Sequence, residues 1–116
     1  MGKVNFDPSK VTSWQAPEGP LVMLNLYRFK SPEHRAKFQD AMPALIGPFL
    51  QEIGAEVIYH GEAGPEFVAD EDWDSVALVR YPSYEALLRV FADDIGPQLI
   101  ELRDSMLEKS RFMVTY

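Results

Sequence analysis

The sequence predicts an α+β domain with the element order β-α-β-β-α-β, the ferredoxin-like arrangement of a four-stranded antiparallel sheet with two helices on one face. Short β-prone runs that are apolar on both faces alternate with segments in which apolar residues recur every three or four positions. The 116 residues suffice for one hydrophobic core but not for two. We therefore predict a single domain, residues 20–116, that follows an N-terminal arm, residues 1–19.

Composition and charge restrict the class of protein. With 47% hydrophobic and 25% charged residues the chain is typical of a globular protein. A formal net charge of −7 disfavours nucleic acid and anionic membranes as partners, because both are bound by clustered Lys and Arg. The absence of cysteine excludes disulfides and thiolate chemistry. The sequence shows no signal peptide and no apolar run near the length of about 20 residues that spans a bilayer, so we expect a cytoplasmic protein.

The arm and the first strand differ sharply in composition. The arm contains the breakers Pro8, Pro17 and Gly19 and is expected to pack loosely, with Trp14 holding it to the domain. The run Leu21–Phe29 predicts the first strand. Because both of its faces are apolar, we expect it to lie centrally in the sheet.

The first helix is expected to begin after Ser31, a good N-cap, with Pro32 at the first helical position. Pro43 and Gly47-Pro48 predict that it is kinked or split. Gly54 is expected to end it. Its apolar residues share one face: Phe38, Met42, Leu45, Ile46, Phe49, Leu50 and Ile53.

Two strands and a second helical segment follow. Ala55–Gly61 predicts the second strand, with an extension to Phe67-Val68 as an alternative, and Trp73–Tyr81 predicts the third. Ser83 caps the next helix. Asp93-Asp94 and Gly96-Pro97 predict a break and a second helix start, and the last predicted strand is Arg111–Tyr116.

Two segments, GPLVMLNLYRF and EDWDSVALVRYPSYEALLRVFAD, the second leading into LIELRDSMLE, resemble a small family of uncharacterised bacterial proteins of the dimeric α/β-barrel superfamily. Asn25 and the Arg-Tyr-Pro-Ser at residues 80–83 are its most specific pieces. The resemblance implies a homodimer in which the free sheet faces of two protomers close a barrel. The wider superfamily includes cofactor-free monooxygenases, lactone isomerases, polyketide-tailoring enzymes and haem proteins.

Strand alternation separates the side chains of each strand into two faces. In the first strand we expect one set to pack under the helices: Val22, Leu24 and Leu26. We expect the other set to face the barrel interior: Met23, Asn25, Tyr27 and Phe29. In the second strand we expect a shared polar face: Ile58, His60 and Glu62.

A polar cluster of Asn25, His60, Glu62 and Arg80 is predicted inside an otherwise apolar barrel cavity. Arg80 and His60 are the candidate catalytic residues, because a guanidinium can hold a carboxylate or enolate and an imidazole can move a proton near neutral pH. Asn25 is expected to hydrogen-bond a ligand carbonyl. The alternative for Arg80 is a structural ion pair with Glu62 or Asp74.

Four further residues are candidates for ligand contact. Arg103 lies within the apolar face of the last helix, where a charge must pair or reach solvent, so it is either a ligand anchor or a structural residue. Tyr27, Trp73 and Tyr81 are candidates to stack on a planar ligand, with core packing as the alternative. We predict no metal site, because the second strand offers two ligands without a third.

The predicted function is binding of a small carbonyl-bearing or anionic organic molecule in the barrel cavity of a homodimer. A cofactor-independent enzyme of the monooxygenase or isomerase type is the candidate activity, and no cofactor is predicted. The alternative is a non-catalytic dimeric structural or regulatory module. A haem protein with His60 as axial ligand is the remote alternative. The sequence contains no phosphate-binding glycine motif and no nucleophile elbow.

Overall fold

The structure, a computed structural model, describes residues 7–116 apart from the side chain of Pro8. Residues 1–6 of the predicted arm lie outside the described residues. The helices and strands follow one another in this order: α1 (Pro8–Ser13), β1 (Leu21–Phe29), α2 (Pro32–Glu52), β2 (Glu56–Glu62), β3 (Ser75–Tyr81), α3 (Tyr84–Ala92), α4 (Ile95–Met106) and β4 (Leu107–Thr115).

The four strands form one antiparallel sheet in the order β2-β3-β1-β4. Because β1 pairs with both β3 and β4, it is a central strand, which explains the apolar residues on both of its faces. The first crossover is α2, and α3 with α4 forms the second. The order matches the predicted β-α-β-β-α-β, and the predicted break at residues 93–97 is the junction between α3 and α4.

One face of the sheet carries α2, α3 and α4, and the core between the helices and this face consists of two clusters of buried residues. From β1, Leu21, Met23 and Phe29 enter this core, and Asn25 and Tyr27 lie on the same face. The prediction that the aliphatic set of β1 would pack under the helices is therefore wrong. Both faces of β1 are apolar, so alternation separates the two sets but does not say which set meets the helices.

The helix α2 is continuous over 21 residues and contains Pro43 and Pro48, so the predicted split does not occur. Both prolines lie at exposed positions, and Gly47 has no Cβ to clash with the ring of Pro48. As predicted, Ser31 caps the helix by accepting a hydrogen bond from the His34 amide. Gly54 follows its C-terminus with φ 77°. Within the described part of the chain, no helix combines the length and the apolar character needed to cross a bilayer.

The predicted alternation of β2 is interrupted by a bulge. The pairing of β2 with β3 shifts between Val57 and Tyr59, so that Ile58 is the extra residue and Val57 and His60 point to the same face. The predicted regular alternation, with Ile58 and His60 at successive positions of one face, is therefore wrong. Phe67 and Val68 lie outside β2 with 91% and 97% of their surface exposed.

The last strand and the N-terminal arm also differ from the prediction. β4 begins at Leu107, directly after α4, instead of at Arg111. The arm contains α1, which the sequence analysis did not predict. The ring of Trp14 packs edge-on against Tyr84 at 5.7 Å between centroids, and the Tyr84 hydroxyl donates to the backbone carbonyl of Val11. These contacts hold α1 and Trp14 against the start of α3, as expected for Trp14.

Candidate functional site

A cavity of about 560 Å³ lies between the helix-covered face of the sheet and the helices α2, α3 and α4. Asn25 and Tyr27 line this cavity and not a barrel interior on the other face, because the faces of β1 were misassigned. A barrel cavity between two protomers stays a prediction. Most of the lining is apolar. The polar lining residues are Asn25, Tyr27, Gln39, His60, Ser75, Tyr81 and Arg103.

One row of residues across the sheet forms the middle of the cavity floor. Asn25 lies opposite Ala77 on one side and Phe112 on the other, and His60 lies beyond Ala77. Residues opposite each other in adjacent strands point to the same face. Because Ala77 has only a methyl group, the space between Asn25 and His60 stays open. These two polar residues are predicted from the sequence to converge, and the structure places both in the cavity lining.

The next row of residues is also built around a small side chain. Tyr27 lies between Ser75 of β3 and Ser110 of β4. Ser75 is 1% exposed and continues the floor beside Ala77. Ser75 was not among the predicted site residues, although it shares the alternation of Ala77, Val79 and Tyr81; assigning that set of β3 to the cavity would have found it.

Arg103 extends from α4 into the cavity and is only 9% exposed. Its Nη2 donates to the Ser110 hydroxyl at 2.9 Å, and its guanidinium lies 5.3 Å from the centroids of both the Tyr27 and Phe112 rings. No carboxylate in residues 7–116 pairs with it. The adjacent Asp104 projects about 100° further around the helix. The positive charge is therefore offset by two aromatic faces and one hydroxyl.

The electrostatic character of the cavity is opposite to that of the protein. The chain carries a formal charge of −7, yet neither Asp nor Glu contributes to the cavity lining among the described residues. Arg103 is the lining residue that is always charged. The cavity therefore favours an anion over a cation.

The carboxamide of Asn25 has a defined orientation. Its Nδ2 donates to the backbone carbonyls of Met23 at 3.3 Å and Ala77 at 3.4 Å. Both partners are acceptors, so the atom that faces them must be the nitrogen. The side chain is 3% exposed and lines the cavity, and within residues 7–116 its Oδ1 accepts no hydrogen bond.

Two more predicted residues reach the cavity. Tyr81 is 3% exposed, and burial, with a smaller contribution from Tyr27, raises the pKa of its hydroxyl above the usual value. It therefore stays protonated at neutral pH. His60 lies on the edge strand β2 and is exposed, which places it at the mouth of the cavity. Residues 7–116 contain no group of three His, Asp or Glu side chains that could hold a metal ion.

Arg80 does not lie in the cavity. It pairs in register with Val22, which belongs to the opposite face of the sheet from Asn25. Arg80 therefore lies on the helix-free face, the side on which a barrel interior was predicted. Its predicted clustering with Asn25 and His60 is wrong, because β3 is apolar on both faces and alternation alone did not assign them. The alternative ion pair is also wrong: Glu62 pairs with Arg35, and Asp74 accepts from the Phe29 amide at 2.8 Å.

Glu62 and Trp73 are likewise outside the cavity lining. The carboxylate of Glu62 is exposed and forms its ion pair with Arg35 of α2. Trp73 precedes β3, and its ring lies 4.5 Å from the ammonium group of Lys109 and 5.9 Å from the guanidinium of Arg111. The predicted placement of Glu62 in the polar cluster is therefore wrong, and Trp73 does not reach the cavity in which it was predicted to stack on a ligand.

Solved structures resemble this chain over most of its length. A protein of unknown function from Rhodopseudomonas palustris is 25% identical, with a TM-score of 0.82 over 99% of this chain and 96% of that chain. A dabb family protein with a ferredoxin-like fold from Mesorhizobium loti is 10% identical, with a TM-score of 0.64 over 84% and 96%. The chain has the ferredoxin-like fold.

A second neighbour described with a ferredoxin-like fold is a dimeric protein of unknown function from Bacteroides fragilis, 9% identical, with a TM-score of 0.56 over 83% of this chain and 94% of that chain. No family model and no curated protein matches the chain. The neighbours confirm the predicted fold and the predicted resemblance to ferredoxin-like proteins of unknown function.

Proposed function

We propose that the protein binds a small organic anion with an apolar body in the cavity between sheet and helices, and that Arg103 anchors the anionic group. The observation that carries the proposal is a guanidinium that is 9% exposed and has no carboxylate partner in residues 7–116. A buried charge is costly unless it is paired. A bound anion would supply the missing partner.

The chemistry of the guanidinium and of its surroundings supports an anionic ligand. Arg has five N–H donors and no acceptor, and Ser110 accepts from one nitrogen. Each charge-assisted hydrogen bond to a carboxylate contributes about 1.5–3 kcal/mol. Since no acidic side chain lines the described cavity, nothing there competes with a ligand for Arg103.

The size and lining of the cavity support an apolar, ring-containing body. Its volume of about 560 Å³ falls within the range of small-molecule sites. The helices supply apolar walls, among them Phe38, Met42 and Ile46 of α2 and Leu99 of α4. Tyr27, Tyr81 and His60 complete the proposed ligand contacts, while the catalytic role predicted for His60 stays a prediction.

A comparison of 2-naphthoate with its neutral analogue 2-naphthamide tests the proposal. We expect naphthoate to raise the melting temperature and naphthamide to have a smaller effect, because only the carboxylate pairs with Arg103. In Arg103→Met the naphthoate affinity, measured by calorimetry, should fall about tenfold or more. Arg103→Lys keeps the positive charge but lacks the planar guanidinium, so it should retain part of the naphthoate affinity.

Arg80→Met is the matched control, since it makes the same chemical change on the opposite face of the sheet. It should leave naphthoate binding unchanged. Equal stabilisation by naphthoate and naphthamide, or full naphthoate binding by Arg103→Met, would contradict the proposal. Absence of naphthoate binding to the wild-type protein would contradict it as well.

We propose further that a second copy of the chain covers the open face of the sheet. This face is lined by aliphatic residues of the two central strands: Val22, Leu24, Leu26, Val76 and Leu78. Met113 and Tyr59 on the same face are each 54% exposed. An apolar sheet face of this extent needs a cover, and a two-fold partner supplies one. The dimeric state described for the Bacteroides fragilis neighbour supports this arrangement.

A further inference from the structure

We propose that the ligand is a hydroxy-substituted carboxylate whose O–H donates to Asn25 Oδ1 while its carboxylate binds Arg103. This inference rests on the proposed function and adds a second, independent requirement to it. An anion alone satisfies Arg103. Asn25 additionally requires a hydrogen-bond donor.

The orientation of the Asn25 carboxamide determines this requirement. Its two N–H donors are directed at the carbonyls of Met23 and Ala77. An amide oxygen is an acceptor only, and Oδ1 has no donor among residues 7–116. Oδ1 is not fully enclosed, since the buried side-chain atom without a partner in residues 7–116 is an oxygen of Asp104. On a side chain that is 3% exposed and lines the cavity, Oδ1 is therefore open to the cavity and can accept an O–H or N–H of a ligand there.

The Asn25 carboxamide and the Arg103 guanidinium lie close enough for one small molecule to reach both. Arg103 contacts Ser110 and Tyr27, which are opposite each other in the sheet. Asn25 is two residues before Tyr27 on the same face, about 6–7 Å along the strand. Arg103 also lies over Phe112, which is directly opposite Asn25. A carboxylate at Arg103 thus places the far side of a one- or two-ring ligand near Asn25.

The floor of the cavity leaves room for a hydroxyl at this position. Ala77, the neighbour of Asn25 on β3, projects only a methyl group. A bound carboxylate without a hydroxyl would cover Oδ1 without giving it a donor. Sites that hydrogen-bond a substrate hydroxyl discriminate strongly against analogues that lack it. We therefore expect selection against plain aromatic and aliphatic acids.

The test compares 2-naphthoate with its 4-hydroxy and 6-hydroxy derivatives and with the corresponding methoxy ethers. The two hydroxyl positions sample a shorter and a longer separation from the carboxylate, and a methoxy group cannot donate. For the wild-type protein we expect one hydroxy compound to bind about tenfold or more tightly than both 2-naphthoate and its own ether. In Asn25→Ala this preference should disappear while 2-naphthoate still binds.

Each outcome separates this inference from the proposed function. Equal binding of hydroxy and methoxy compounds by the wild-type protein overturns the inference and leaves the anion site intact. A hydroxyl preference that persists in Asn25→Ala also overturns it. Loss of all naphthoate binding by the wild-type protein overturns the proposed function itself. The wild-type comparison alone decides the inference if Asn25→Ala does not fold.

Discussion

The role of Arg103 depends on its tertiary contacts and cannot be read from the residue type alone. Its position on the apolar face of the last helix predicted either a ligand anchor or a structural charge. In the structure it neither pairs with a carboxylate of residues 7–116 nor reaches solvent freely. The rings of Tyr27 and Phe112 hold its guanidinium in the cavity wall. Two strands, β1 and β4, supply these contacts, so the helix sequence could not reveal them.

Tyr81 is expected to make the free energy of unfolding depend on pH in the alkaline range. Burial raises the pKa of its hydroxyl in the folded state, so above about pH 10 the unfolded chain loses this proton while the folded chain keeps it. Stability from Tyr81 is therefore complete below the unfolded pKa and is lost as pH rises above it, by up to about 1.4 kcal/mol per pH unit. We expect Tyr81→Phe to remove this part of the decline in urea unfolding measured from pH 8 upward.

The control for this experiment is Tyr59→Phe, because Tyr59 is 54% exposed on the open face of the sheet. Its pH dependence should follow that of the wild-type protein. If Tyr81→Phe and Tyr59→Phe lose stability identically with rising pH, burial of Tyr81 is not the cause.

The bulge in β2 decides which of its side chains reach the cavity. Strict alternation would place Val57 and His60 on opposite faces, but the extra residue Ile58 brings them to the same one.

The junction of α3 and α4 requires a glycine at residue 96. Gly96 is buried in the first turn of α4, and a Cβ there would lie 2.9 Å from the Phe91 carbonyl oxygen and 3.0 Å from that of Val90.

Gly96→Ala is expected to destabilise the protein. The overlap with two backbone carbonyls costs about 1–3 kcal/mol, against a gain of about 1 kcal/mol for alanine over glycine in a helix. We expect a net loss in the free energy of unfolding, measured by urea denaturation. Gly64→Ala is the control, because a Cβ at Gly64 meets nothing within 4 Å. Equal stability of the two variants would show that α4 can shift to accept the methyl group.

The two faces of the sheet differ in what covers them. One face packs against the helices and forms the floor of the cavity, where the small side chains of Ala77 and Ser75 leave space. The other carries an aliphatic surface on the central strands and is left open by the chain's own helices. Arg80 lies on this open face and has no ion pair within residues 7–116, so it is available to a second protomer.

Leu78→Asp tests the proposed dimer. Leu78 lies on the open face opposite Leu24, so a carboxylate there should separate the protomers without disturbing the helix-covered core. By light scattering we expect the wild-type protein at twice the mass of the chain and Leu78→Asp at the mass of one chain. Val68→Asp, at a side chain 97% exposed in the loop before β3, should remain dimeric. A wild-type monomer at micromolar concentration would contradict the dimer.

Local chemistry alone determined a large part of this protein. The N-caps Ser31 and Ser83, the bounds of β1 and the glycine that ends α2 are all where the sequence predicts them. Each depends on contacts within a few residues, and so does the order of strands and helices. For the same reason, the sequence identified Asn25 and Arg103 as polar residues in apolar surroundings.

Only the tertiary structure decided which face of the sheet each residue occupies. β1 and β3 are apolar on both faces, so alternation grouped Asn25 apart from Val22 but could not show which group met the helices. That choice depends on how the helices cross the sheet, and it moved Arg80 out of the site. The bulge at Ile58 likewise depends on pairing with β3, and it brought His60 and Val57 to one face.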